Sequence, residues 1–189
     1  MNKFVYNAPT EWTPKEHFPD LSKEKLIAID LETCDTQLTT HGSGWATNNG
    51  YVTGIAVATA NWEGYYPIAH NGGNLDKTKV LDWFKTVAKL DCPKIFHNAS
   101  YDIGWLKSLG ITVNGKVHDT MISSALLDEN RYSYTLNSLA KDKLGRTKNE
   151  DLLIAAAKEF GVDPKKEMYK LPSMHVGEYA EYDARLTYD

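Results

Sequence analysis

Long apolar runs are missing from this 189-residue sequence: none approaches the ~18 residues that a helical membrane span requires. The first residues show no charged-then-apolar signal pattern, so a cytoplasmic location without a membrane partner is the expectation. Cysteine is scarce. Cys34 and Cys92 have no CxxC or metal-ligand spacing, which excludes a disulfide framework and fits reduced thiols in a cytosolic setting. A basic excess is also missing. The formal net charge of −4 argues against a protein that holds nucleic acid by bulk positive charge. It leaves room for a nucleic-acid enzyme whose acidic centre is neutralised by metal ions. There is no internal repeat and no low-complexity segment. What remains, 42% hydrophobic and 24% charged residues, suits one soluble domain with a well-buried core.

Residues 1–24 hold Pro9, Pro14 and Pro19 among polar residues, which predicts an arm without regular structure. "KLIAIDLE" (25–32) reads as a buried strand ending in acids. The polar, glycine-rich stretch 35–50 is too long for a tight hairpin and reads as a loop. Two strands follow, over 51–60 and 64–69, joined by a turn around Asn61 and Glu63, so the first three strands are expected to be antiparallel. The period then changes. Val80, Phe84 and Val87 mark a helix over 76–90 with Asp76 as N-cap. A fourth strand (94–97) leads into a helix over 98–110 that Gly110 closes, and a fifth strand is expected at 115–119. Helices near 120–128, 135–144 and 149–160 precede a last one after Pro172. The fold class is therefore α/β: a mixed five-stranded sheet flanked by helices.

The carboxylates fall in three places. Asp30 and Glu32 lie two apart on the first strand and so share a face, where like charges need a cationic partner; alone, the pair also fits a solvated strand end. Asp102 stands on the first turn of the helix that Asn98 is expected to cap, a position the helix dipole favours for structural reasons too. Tyr179 and Asp183 are one turn apart on the last helix, which also fits a plain hydrogen-bonded pair. Together the four carboxylates make an all-oxygen site, which suits Mg²⁺ or Mn²⁺ rather than Zn²⁺.

"DLE" (30–32), "NASYD" (98–102) and "YAEYD" (179–183) resemble, in order and spacing, the three exonuclease motifs of the DEDD superfamily. The chain is similar in particular to the 3′–5′ proofreading exonuclease domain of family A (polymerase I type) DNA polymerases. The resemblance covers residues 25–189 and takes in "VHDTMISSALLDEN" and "YTLNSLAKDKLG"; the closing segment is similar to phage-encoded members, which implies the host cytoplasm. It implies a ribonuclease H-like fold and the branch that uses a tyrosine four residues before the last aspartate, since the position used by the histidine branch holds Glu178.

The same resemblance implies two-metal phosphodiester hydrolysis at a single-stranded or frayed DNA 3′ end. Asp30 would bridge two divalent ions, Glu32 and Asp183 would hold the nucleophile-side ion, Asp102 the other, and Tyr179 would orient water. Asn98 and Tyr101 map onto contacts with the single strand, although Tyr101 fits a core position equally well. Asp119 is expected to cap the next helix and His97 to be a strand residue rather than a ligand. Lys141, Lys143, Arg146 and Lys148 read as a solvated face, with phosphate contact as the alternative; Trp45 and His41 sit in a loop able to close over substrate. RNA 3′-end processing of the ribonuclease D type and a non-catalytic 3′-end-binding domain are the competing functions. The last helix lacks a C-terminal signal, so the exonuclease domain is expected to be cut from a longer polymerase chain, with a polymerase in a separate subunit as the alternative.

Overall fold

The computed structural model describes residues 9–189; the start of the N-terminal arm lies outside them. Strand β1 (Ile27–Cys34) is followed by two short helical turns, α1 (Leu38–His41) and α2 (Gly44–Thr47), then by β2 (Tyr51–Thr59) and β3 (Trp62–Pro67). Next come α3 (Lys77–Ala88), β4 (Lys94–Phe96), α4 (Ala99–Ser108), β5 (Val117–Asp119), α5 (Thr120–Leu127), α6 (Leu136–Leu144) and α7 (Asp151–Phe160). Two 3₁₀ turns (Met168–Lys170 and Ser173–His175) lead into α8 (Gly177–Tyr188). The sheet order is β3-β2-β1-β4-β5, with β1, β2 and β3 antiparallel and β4 and β5 parallel to β1. This is the mixed sheet that the sequence pattern anticipates.

Strand alternation divides β1 between two cores. Ile27, Ile29 and Leu31 face one way and pack with Val80, Phe84 and Leu106 of α3 and α4. Ala28 faces the other way, with Ala56 and Ala58 of β2, against Ala180 and Ala184 of α8. Small residues on both surfaces let α8 lie close to the strands, which brings its Asp183 down to the level of Asp30.

Between residues 9 and 24 the arm has no helix or strand but is anchored on both cores. Trp12 packs beside α8, where a Cβ on Gly177 would lie 2.1 Å from the indole. Phe18 stacks on Tyr66 at 5.4 Å, and the Tyr66 hydroxyl and Trp83 indole donate to the carbonyls of His17 and Pro19. Asp76 caps α3 through Lys79 N–H at 3.0 Å and Gly110 closes α4 at positive φ, as expected, and Gly145 and Gly161 end α6 and α7 in the same conformation.

Three local expectations need correction. The turn between β2 and β3 is Ala60–Asn61, because Thr59 pairs with Trp62 and Glu63 is already in the strand. Residues 35–50 are not a free loop: Asp35 accepts from Gly44 N–H at 2.9 Å, and Trp45 lies on the bare backbone of Gly104, where a Cβ would come within 2.2 Å of the ring. The segment is thereby packed on α4, and its Thr36, Leu38 and Thr39 line a cleft beside Tyr101. Asn98 sits at the N-cap position of α4 but its side chain caps nothing. It adopts φ 72°, a left-handed conformation that asparagine tolerates better than most residues, and so turns the chain from β4 into the helix. The capping acceptor is Asp119.

Candidate active site

Asp30 and Glu32 project from β1 on the α8 face, opposite Ala56 and Gly54 of β2. Gly54 is required there, since a Cβ would lie 2.0 Å from the Tyr65 hydroxyl that fills the space. One carboxylate oxygen each of Asp30, Glu32 and Asp183 all lie within 4.8 Å of one another. Asp102, buried on the first turn of α4, stands beside this trio, and a hydrogen bond from the Leu31 backbone partly steadies its charge. The sequence signals on strand, helix and helix thus meet at one place, although Glu32 and Asp183 are 151 residues apart in the chain.

Crowding shows in the acidities. Burial, then Asp183, pushes the Asp30 carboxyl up to about 7, with Lys148 pulling the other way. Burial, followed by Asp30 and Asp183, raises Glu32, and burial followed by Asp30 and Glu32 raises Asp102. Asp183 is raised less freely: burial acts against an ion pair with Lys148, whose Nζ lies 2.5 Å from Oδ2. Its other oxygen, Oδ1, is buried with no hydrogen-bond partner. A buried carboxylate oxygen with nothing to accept from is costly unless a cation or donor meets it. The donor set, all oxygen, closely grouped and with one orphaned acceptor, fits a divalent ion of the Mg²⁺ or Mn²⁺ kind.

Tyr179 lies one turn before Asp183, half-buried, with its hydroxyl 3.4 Å from Lys148 Nζ. Burial first, then Asp183 and Glu32, raises its pKa, so the phenol stays protonated at neutral pH. Two ammonium groups flank its ring, Lys148 at 5.0 Å and Lys165 at 4.8 Å from the centroid. Glu178 points elsewhere and accepts from Thr10 at 2.5 Å.

Tyr101 is neither free nor fully core. Its hydroxyl pairs with Thr33 and donates to Asp35, both at 2.9 Å. With Thr36, Lys165 and Lys166 it lines an open cleft of about 160 Å³. Asp119 does more than cap α5. Its carboxylate accepts from Met121 and Ile122 at 2.9 and 3.2 Å, and also from Asn98 and Ala99 at 3.2 and 2.7 Å. One side chain therefore anchors the start of the helix that carries Asp102. His97 follows β4 directly and pairs its Nδ1 with Thr120 at 2.8 Å.

Lysine is where sequence reasoning fell short. Lys141, Lys143 and Arg146 are exposed, but Lys148, read with them as part of a solvated face, has a side chain only 10% exposed among the acids. It follows the left-handed Gly145 that ends α6, in an irregular stretch whose direction no periodic pattern reports. Lys165 was not singled out at all. The one available hint was the unmet charge of Asp30 and Glu32, which called for a cation without saying which.

A sequence model of the 3′–5′ exonuclease family matches residues 7–189. The chain belongs to this family. The domain is of the DNA polymerase type, and the match takes in the N-terminal arm as far back as residue 7. A DNA-directed DNA polymerase of Pseudomonas phage M6 is 38% identical over 89% of this chain and 27% of its own length. DNA polymerase I of Pseudomonas aeruginosa is 30% identical over 88% of this chain and 18% of its own. The chain thus spans about a quarter or less of the polymerases it matches, in which this domain shares a chain with the rest.

Among solved structures, Brucella melitensis NrnC with bound Mg²⁺ has a TM-score of 0.57 at 18% identity, covering 92% of this chain and 75% of NrnC. The POL domain of Pol1 from M. smegmatis, in complex with DNA primer-template and dNTP, also gives 0.57, at 15% identity over 88% of this chain and 23% of that one. These likenesses place the fold among exonuclease, ribonuclease H-like folds. The chain is thus a 3′–5′ exonuclease domain, and its acidic cluster is of a kind consistent with the divalent metals such nucleases use. No helix among the described residues is long and apolar enough to cross a membrane.

Proposed function

We propose that this exonuclease removes nucleotides one at a time from single-stranded or frayed DNA 3′ ends and proofreads for a DNA polymerase, in the same chain or as a separate subunit. The observation that carries the reading is the meeting of Asp30, Glu32 and Asp183 within 4.8 Å around an orphaned Asp183 oxygen. Asp30, Glu32 and Asp183 would hold one divalent ion, and Asp102, beside them, would help to hold a second. When bound, two such ions supply acidity to the attacking water and neutralise charge at the leaving 3′ oxygen. The protein's own groups do the positioning. The Tyr179 phenol, too weak an acid to serve as a base at neutral pH, orients water through its hydroxyl. Asn98 and Tyr101 contact the terminal nucleotides. The Tyr101 ring lines the cleft while its hydroxyl is tethered to Thr33 and Asp35, so it meets a base without having to be ordered first.

The test compares 5′-labelled DNA and RNA single strands of one sequence in Mg²⁺, with EDTA and Asp30→Ala as controls. Stepwise shortening of DNA from the 3′ end, lost in EDTA and lowered by orders of magnitude in Asp30→Ala, is the expected result. Undiminished cleavage in EDTA overturns the metal assignment. Preference for RNA moves the enzyme to RNA 3′-end processing, and binding without cleavage leaves a 3′-end-binding domain.

A further inference from the structure

We propose that Lys148 is a resident counter-ion that competes with the divalent ion on the Asp183 side of the site, so that metal entry requires Lys148 to be released from Asp183. The inference rests on the metal-dependent reading above. It begins from geometry: Lys148 Nζ lies 2.5 Å from Asp183 Oδ2, the two side chains being 10% and 7% exposed, and the same nitrogen reaches the Tyr179 hydroxyl at 3.4 Å. Asp183 is one of three residues whose oxygens are grouped closely enough to share an ion. An ammonium on Oδ2, the oxygen beside the unpartnered Oδ1, satisfies part of the negative charge that the ion needs. The cluster then has two ways of being neutralised, by Lys148 or by metal, and a dication within a few ångströms of an ammonium at low effective dielectric is strongly repelled.

Lys148 is suited to exchange. It lies in an irregular segment after α6, on a flexible four-carbon stem with a strongly hydrated head, so it can swing into the cleft when displaced. Lys165 differs. It is paired with Glu150 at 2.5 Å and lies over the Tyr179 ring, with no ion pair to Asp183. Its removal therefore serves as a matched control in which one ammonium is lost beside the site but none from a ligand.

The experiment is an Mn²⁺ titration followed by electron paramagnetic resonance on EDTA-stripped protein at pH 8, without nucleic acid, for wild type, Lys148→Met, Lys148→Gln and Lys165→Met. Lys148→Met and Lys148→Gln should each bind Mn²⁺ about tenfold more tightly than wild type, and Lys165→Met within about threefold of it; the flexible stem lets Lys148 escape most of the full Coulomb repulsion. Circular dichroism confirms folding, and the two Lys148 variants of different polarity guard against one that misfolds. Equal Mn²⁺ affinity in wild type and the folded Lys148 variants overturns the inference, as does an equal gain in Lys165→Met. No Mn²⁺ binding by any of the proteins overturns both this inference and the metal assignment. An affinity gain confined to the Lys148 variants supports the inference even if the strand assay above shows no DNA cleavage, a result that would overturn only the proposed function.

Discussion

Replacing Asp30 by Asn removes a charge from the most crowded position of the cluster while keeping the shape of the side chain. In the folded protein the Asp30 carboxyl titrates at about 7, against 3.8 when unperturbed, chiefly because burial and Asp183 disfavour its charge. Between those two values the folded state holds a proton that the unfolded chain has released. Stability therefore falls as pH rises through that window and is fully present only below it. At about 1.4 kcal/mol per pH unit the interval sets a ceiling of about 4 kcal/mol. Water in the open cleft and the pull of Lys148 lower what is observed to about 1–2 kcal/mol, or about 2–8 °C in melting temperature for a domain of this size. Glu32, Asp102 and Asp183 are raised in the same direction, so wild type in EDTA should lose stability steadily from pH 5 to pH 8. Asp30→Asn should melt with wild type at about pH 3.5, below the window, and several degrees above it at pH 8. Adding Mn²⁺ at pH 8 should raise wild type and leave Asp30→Asn nearly unmoved. Scanning calorimetry at the two pH values reads this directly. Parallel pH profiles for the two proteins would refute the claim that crowding of carboxylates governs the site.

Two further outcomes follow from the same geometry. Tyr179→Phe should lower the cleavage rate roughly 10–100-fold, with single-strand affinity in EDTA almost unchanged, because it removes one positioning hydroxyl and no metal ligand; an equal loss of affinity and rate would make the ring a stacking surface instead. Asp119→Ala should cost about 2–4 kcal/mol by urea titration, since four backbone N–H groups at two helix starts lose their acceptor; a loss below about 0.5 kcal/mol would mean that water replaces the carboxylate at both.

Some of this protein was settled within short windows of the chain. Alternation fixed which residues of β1 share a face, so Asp30 and Glu32 could be paired before any fold was known. The four-residue spacing of Tyr179 and Asp183 did the same for α8. Glycines at positive φ and the Asp76 cap marked helix ends, because those requirements belong to one or two residues. The order of these signals carried the family resemblance and with it the expected fold. Other features were decided only by tertiary structure. Lys148 and its neighbour Lys143 look alike in sequence, yet one meets Asp183 and the other faces water; the difference lies in how an irregular segment leaves Gly145, which no period encodes. Asp119 could be recognised as the cap of its own helix, but not as the cap of α4, because parallel pairing of β4 with β5 sets Phe96 beside Asp119. Trp45 and Trp12 carried no sign of Gly104 and Gly177, their partners 59 and 165 residues away. Local backbone preference acts over a turn or a strand, whereas a side chain buried against a distant segment is placed by packing and charge, and these exist only once the chain has folded.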